Sequence, residues 1–289
     1  MSIIGKTDVV AEAVAACLEN ELSVAVVKSN VARTVDVLAL GTTAGRAAKS
    51  QMLDAALAGQ NLSIATTDVT TVPGEAFVEP TWDLGLVLSP FKAEVGAHAN
   101  RLTPSAARTG IVDTLLRTST GVVGLNSNSW ALAAAGEVLL RGLDRPRILV
   151  LGTGGTTHSA LLGLARAHPD AELFVSGRRP EATCRLAERY GVTAVAPADT
   201  AEVEPSVVIN ATTWGETDES EASPFGFPAG ELFAPGRILF DLNNRHSALQ
   251  IQALAAGCAV MSGTLMQRIT HACRAAGAAW ALDQQAKGE

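Results

Sequence analysis

A short apolar run, Arg147-Ile148-Leu149-Val150-Leu151, leads directly into Gly152-Thr153-Gly154-Gly155-Thr156-Thr157. No other stretch of the 289-residue chain restricts its fold as much. A glycine at the end of a buried strand permits a tight turn, and a second lets backbone approach a bound group closely. The N–H groups opening the next helix then face that group with their positive dipole end. Strand, glycine turn and helix in this order predict a doubly wound parallel sheet binding a dinucleotide pyrophosphate at Gly152, Thr153, Gly154, Gly155 and Thr156. Thr157 stands where G-x-G-x-x-G has its third glycine, so the expectation rests on placement between strand and helix more than on the pattern.

The second strand of such a unit usually ends in an acid that binds the ribose 2′-hydroxyl of NAD. Here residues 172–177 end in Ser176-Gly177 and are followed by Arg178 and Arg179, with no acid. Paired guanidiniums suit a 2′-phosphate through charge-assisted hydrogen bonds, so NADP(H) is the expected cofactor.

Short apolar segments at 192–195, 206–210, 237–241 and 258–263 continue the series and alternate with helical stretches at 156–167 and 180–190. Helices are also expected over 130–143 and 264–286, and a polar loop over 215–235. Before residue 129 the reading is α/β with a mixed sheet. It has a helix over 7–20 capped by Thr7 or Asp8, and strands at 22–27, 35–40, 62–68 and 84–88. A helical stretch includes 49–59, and another helix starts near Lys92. Residues 111–117 and 122–126 form a candidate strand pair around a turn at 118–121.

Composition removes several classes. A net charge of -7 argues against a nucleic-acid partner, which would need a basic face. No apolar run approaches the ~18 residues of a membrane span, and the N-terminus lacks the basic-then-apolar order of an export signal. Cys17, Cys184, Cys258 and Cys273 have no metal or disulfide spacing, and the five histidines lack metal-ligand spacing. A reducing cytoplasm and no bound metal are the expectation.

Four further segments carry a resemblance. They are Ser89-Pro90-Phe91-Lys92, Ile111-Val112-Asp113-Thr114, Gly124-Leu125-Asn126-Ser127-Asn128 and Asn210-Ala211-Thr212-Thr213. With the glycine turn, their order and spacing resemble the shikimate/quinate dehydrogenase family over most of the chain after about residue 35. The resemblance implies an N-terminal α/β substrate domain over 1–128, with 1–34 as an extension, and an NADP-binding Rossmann-type domain over 129–264. It also implies a last helix, 265–289, that returns to the first domain. Beside the glycine turn and the arginine pair, it places Asn210, Ala211, Thr212, Thr213 and Gly263 in the cofactor site. Lys92 matches the family's catalytic lysine. The family's aspartate position holds Asn128, while its preceding asparagine position holds Asp113, so the two residue types are exchanged. The resulting expectation is that Lys92 moves the proton, Asp113 orients it and Asn128 shares the pocket. Asn126 and Thr270, the latter at the position of the final helix's glutamine, are candidate substrate contacts.

Other positions depart from the family. Its Ser-x-Ser carboxylate clamp falls on Ala47-Ala48-Lys49, leaving Lys49 as the candidate anion contact, and a threonine becomes Leu88. The helix between strands 62–68 and 84–88 is reduced to a Pro/Gly segment, and a tyrosine after the 237–241 strand has no counterpart. Sites built to bind several hydroxyls discriminate strongly, so lost donors imply a changed substrate. The expectation is an NADP(H)-dependent alcohol/ketone dehydrogenase for a small cyclic carboxylate, related to aromatic amino acid biosynthesis. A genuine shikimate or quinate dehydrogenase with rearranged contacts and a non-catalytic NADPH-binding protein are the alternatives. Residues 1–34 are candidates for packing on the first domain or for a homodimer contact.

Overall fold

The computed structural model describes residues 8–25, 31–77, 80–215, 220, 226–243 and 245–288. The chain divides into two compact α/β units, one of residues 1–134 with 267–289 and one of residues 135–266.

The first unit opens on α1 (Val9–Leu22), capped by Asp8, whose carboxylate accepts from the N–H groups of Val10 and Ala11. Its buried stripe is Ala13, Val14, Cys17, Leu18, Glu21 and Leu22. That stripe overturns the strand expected over 22–27. Helical spacing carries through Leu22, left-handed Ser23 (φ 59°) ends the helix, and Val24 and Ala25 are irregular. Residues 26 and 27 lie outside the described residues. Packing of an amphipathic face outweighs local β-propensity at this point.

Next come β1 (Arg33–Leu40), α2 (Ala44–Ala48), α3 (Gln51–Ala58), β2 (Leu62–Thr70) and β3 (Leu84–Val87). β4 (Arg101–Leu102), α4 (Pro104–Thr109), β5 (Thr114–Thr118), β6 (Gly121–Leu125) and α5 (Ser127–Leu139) follow. The sheet has the order β2-β1-β3-β5-β6-β4. β1 is parallel to β2 and β3, whereas β3/β5 and β5/β6 are antiparallel. The segment between β2 and β3 contains a 3-10 turn at Gly74–Phe77. The helix expected near Lys92 is two 3-10 turns, Phe91–Ala93 and Val95–His98. Its physical reason is local: the Lys92 carbonyl accepts from Val112 N–H at 2.7 Å, so it is engaged outside its own helix.

In the second unit, β7 (Arg147–Leu151), α6 (Gly155–Ala167), β8 (Glu172–Ser176), α7 (Pro180–Tyr190) and β9 (Thr193–Val195) form the first half. β10 (Val207–Asn210), α8 (Ala229–Leu232), β11 (Ile238–Asp241), α9 (Ala248–Ala255) and β12 (Ala259–Ser262) form the second. The sheet runs β12-β11-β10-β7-β8-β9 and every pairing is parallel. This is the Rossmann-type order, with its reversal between β7 and β10. The short α8 interrupts the loop expected over 215–235, where residues 216–219 and 221–225 lie outside the described residues.

The last helix, α10 (Thr264–Gly288), returns to the first unit. Asp283 pairs with Arg33 at 2.8 Å, and Gln285 Nε2 donates to Asp83 Oδ1 and Arg117 O at 3.2 and 2.7 Å. No helix among the described residues is long and apolar enough to cross a membrane.

Residues of the N-terminal extension are integral to this unit. Glu21 is buried, and its carboxylate accepts from Ser105 N–H (3.0 Å), Ser105 Oγ and Trp130 Nε1 (2.7 Å). It thereby joins α1 to α4 and α5. Glu21→Ala removes the buried carboxylate that these donors share and is expected to lower stability by about 1–3 kcal/mol. Urea denaturation checks this, and an unchanged midpoint would refute the structural role of the extension.

Candidate active site

In the second unit the strand register aligns Leu151, Ser176, Asn210 and Asp241 at one end of the sheet. The turn after β7 sits at the reversal of strand order. Gly152 has φ +121°, and a Cβ there would stand 3.0 Å from Ala211 O. Gly177, which the sequence reading did not single out, matters equally, because its Cβ would lie 2.6 Å from Thr153 Cγ2. A Cβ at Gly154 would meet nothing within 4 Å, so the surface above the turn is open. Gly154 caps α6 without a side-chain hydrogen bond, which leaves the first N–H groups of Gly155 and Thr156 to an external acceptor.

Arg179 is exposed and its Nη2 lies 3.3 Å from Thr153 Oγ1, bringing one guanidinium to the glycine turn. Arg178 is exposed beside it. Thr157 is buried where a third glycine was absent, and among the described residues its Oγ1 has no hydrogen-bond partner. The donor set and the missing Cβ atoms fit a dinucleotide pyrophosphate.

Asn210 is buried and fully engaged. Its Nδ2 donates to Trp214 O and Asp241 Oδ1, while its Oδ1 accepts from Thr212 N–H and Oγ1. Thr212 Oγ1 in turn accepts from Trp214 N–H. Asn210 therefore shapes the Ala211–Thr213 turn from below, and Thr213 is exposed on it. Burial pushes the Asp241 carboxyl up, against the donors Gln250, Asn243, Asn210 and Ser247. Gly263 is buried at the start of α10, its N–H bonded to Asn243 O at 3.3 Å.

A second cluster lies in the first unit. The bond from Val112 N–H to Lys92 O seats the 91–93 turn beside the approach to β5. Asp113 is fully buried. Its Oδ1 accepts from Thr114 Oγ1 (2.6 Å), Ser127 N–H (3.1 Å) and Ser127 Oγ, and its Oδ2 from Asn128 N–H (2.7 Å). The carboxylate thus sits at the N-terminus of α5, where the helix dipole favours an anion. Asn128 Oδ1 accepts from Thr270 Oγ1 at 3.0 Å. Asn126 caps the same helix: its Oδ1 accepts from Ser129 N–H at 3.1 Å and its Nδ2 donates to Thr109 Oγ1 at 2.9 Å.

The structure brings Asp113, Asn128 and Thr270 together through hydrogen bonds. Among the described residues no ion pair joins Lys92 to Asp113. The nearest cation to that carboxylate is Arg274, Nη2 to Oδ1 at 3.9 Å. Asn126 is buried and caps α5. Lys49 is exposed at the end of α2. The sequence reading missed Arg274, although a signal was present: a charge four residues after Thr270, on one face of an Ala-rich helix. Lys92 is half-buried. Burial pushes its amine below the usual lysine range, Asp113 opposes this and Arg274 adds to it.

Two α/β units, one carrying a glycine-turn nucleotide site and the other a lysine beside a buried polar cluster, define a two-domain dehydrogenase class. No protein-family model matches the chain. An NADP(+) shikimate dehydrogenase of Dechloromonas aromatica is 31% identical over 198 residues, 64% of this chain and 69% of that protein. The corresponding enzyme of Thermus thermophilus is 34% identical over 182 residues, 61% of this chain and 65% of that protein. The matched stretches thus span about two thirds of these relatives. A solved Thermus thermophilus shikimate 5-dehydrogenase, in complex with NADP(H) and shikimate, superimposes with a TM-score of 0.69 at 25% identity. That match covers 88% of this chain and all of the other. The chain belongs to the shikimate dehydrogenase family.

His271, next to Thr270, is buried with an unpartnered Nδ1 among the described residues, and burial together with Arg274 pushes its pKa down to about 3. A depressed folded-state value means that stability is intact above about pH 6.5 and is lost as pH falls toward about 3. His271→Phe should reduce this acid loss by up to about 1.4 kcal/mol per pH unit below that point. Denaturant titrations at pH 7 and pH 4.5 measure the difference.

Proposed function

We propose that this chain is an NADP(H)-dependent oxidoreductase interconverting a secondary hydroxyl and a ketone on a small cyclic carboxylate other than shikimate. Residues 1–128 form its substrate domain, 129–264 its nucleotide domain, and 265–289 the helix completing the first. The bound nicotinamide supplies or accepts the hydride. Gly152, Thr153, Gly154, Gly155 and Thr156 would hold the pyrophosphate, and Arg178 and Arg179 the 2′-phosphate. Asn210, Ala211, Thr212, Thr213 and Gly263 complete that site.

The observation that carries this reading is Lys92, half-buried, its amine below the ordinary lysine range and without an ion pair among the described residues. Such an amine can take the proton of a substrate hydroxyl at Nζ and return it in the reverse direction. Thr270 occupies Asn128 Oδ1, so the Asn128 Nδ2 hydrogens are the donors it offers to a substrate oxygen. Asp113 acts indirectly by fixing Asn128 and the start of α5. The change of substrate is argued from Ala47, Ala48 and Lys49, which replace a pair of hydroxyl donors by one exposed ammonium.

Incubation with NADP+ and a panel of hydroxycyclohexane and hydroxycyclohexene carboxylates is expected to give reduced cofactor with a member other than shikimate. Lys92→Ala should reduce that turnover by about 100-fold or more, and undiminished turnover would sink the mechanism. Saturable activity on shikimate below about 1 mM would replace the substrate assignment by the family's own. Tight NADPH binding with no turnover on any member would replace the enzyme by a cofactor-binding protein. Arg179→Ala should weaken NADPH binding by about tenfold or more and leave NADH binding unchanged, as read by fluorescence titration.

A further inference from the structure

Asp241 ends β11 fully buried inside the second unit, and the turns that follow β10 and β11 converge on it. Its Oδ1 accepts from Asn210 Nδ2 at 3.0 Å and from Asn243 N–H at 3.2 Å, and its Oδ2 from Gln250 Nε2 at 2.9 Å. Asn210 is thereby held in one orientation of its amide. Its Nδ2 points to two oxygens, Asp241 Oδ1 and Trp214 O, and its Oδ1 is left for the N–H and hydroxyl of Thr212 at 3.1 and 2.6 Å. Trp214 O takes a second donor, Asn243 Nδ2, at 2.8 Å, and Asn243 O accepts from Gly263 N–H at 3.3 Å. Through Asn210 and Asn243, one carboxylate ties together residues 210–214, 241–243 and 263.

The network reaches the glycine turn. Ala211 N–H donates to Leu151 O at 2.9 Å, and Ala211 O stands where a Cβ on Gly152 would come within 3.0 Å of it. In the sheet order β10 lies on one side of β7 and β8 on the other. A dinucleotide with its 2′-phosphate at Arg178 and Arg179 after β8, and its pyrophosphate at the turn after β7, extends its nicotinamide half over the turn after β10. We propose that Asp241 is a positioning residue for that half of the cofactor: by fixing the Asn210 amide it sets the 211–213 turn against Gly152, without itself touching the ligand. The inference rests on the NADP(H) reading of the same site.

Two probes of the full-length protein separate positioning from general support. NADPH, read by fluorescence titration, spans the whole site. Adenosine 2′,5′-bisphosphate, read by calorimetry, carries the 2′-phosphate and ends before the nicotinamide. Asp241→Ala should weaken NADPH binding by about tenfold or more, the scale of a lost hydrogen bond to a charged group, and leave adenosine bisphosphate binding within about twofold. Asp241→Asn keeps an oxygen toward Asn210 Nδ2, because Gln250 can reverse its amide and accept from the introduced amide group. It should restore most of the native NADPH affinity. Equal loss of both ligands in Asp241→Ala would show a merely structural role and overturn the proposal, as would native NADPH affinity in that variant.

Should Asp241→Ala not fold, Asp241→Ser takes its place. The serine hydroxyl can still accept from Asn243 N–H two residues on, as in a serine turn, but is too short to hold Asn210. The same split between the two ligands is expected, and undiminished NADPH affinity overturns the assignment. Native protein that binds neither ligand would refute the NADP(H) reading itself, and the inference with it.

Discussion

The buried Asp113 carboxylate is the interaction on which the first unit depends. It accepts from Thr114 on β5 and from Ser127 and Asn128 at the start of α5, and it faces Arg274 on α10. An isolated carboxylate at this depth would be expelled or protonated. It stays because hydrogen bonds to both oxygens, a helix dipole and one guanidinium compensate its lost hydration. Removing one member of such a buried ion pair typically costs about 3–5 kcal/mol, since the other is left uncompensated. The network also explains why the last helix belongs to this unit although the whole second sheet intervenes in sequence. α10 supplies Arg274 to Asp113 and Thr270 to Asn128, two polar contacts on successive turns of one face. Further along, Asp283 and Gln285 hold Arg33 and Asp83.

The second unit is organised by absences. Gly152 and Gly177 lack the Cβ atoms that would strike Ala211 and Thr153, and this allows the turns after β7, β8 and β10 to come together at the reversal of strand order. Asn210 and Asp241 support those turns through a buried hydrogen-bond network in which every Asn210 side-chain group has a partner. Residues that shape a binding loop are thus distinct from residues that would touch a ligand. Asn126 and Asn210 belong to the former, whereas the open N–H groups at Gly155 and Thr156, and Arg179 beside them, are placed for the latter.

Legibility in the sequence followed the range of the forces involved. The strands from Arg147 onward were readable because parallel strands covered on both faces are continuous apolar runs, and RILVL and VVIN are such runs. The 22–27 segment misled because Leu-Ser-Val-Ala-Val-Val is β-prone by composition, while the face completed by Leu18, Glu21 and Leu22 decides its start. Lys92 was found from a motif, and Asp113 from an exchange of residue types between two motifs. Neither showed that the carboxylate would accept from the first N–H groups of α5. That choice depends on Ser127 and Arg274, the latter 161 positions from Asp113 in the chain.

The sequence alone therefore determined the Rossmann-type unit, its glycine turn and the arginines after β8, since strand burial, φ at Gly152 and the local charge at Arg178 and Arg179 are set by neighbouring residues. Tertiary structure alone decided the pairing of Asp113 with α5 and Arg274, the use of Glu21 to join α1 to α4 and α5, and the capping of α5 by Asn126. Each of those depends on desolvation and on partners far away in the chain, and neither quantity exists until the helices have packed.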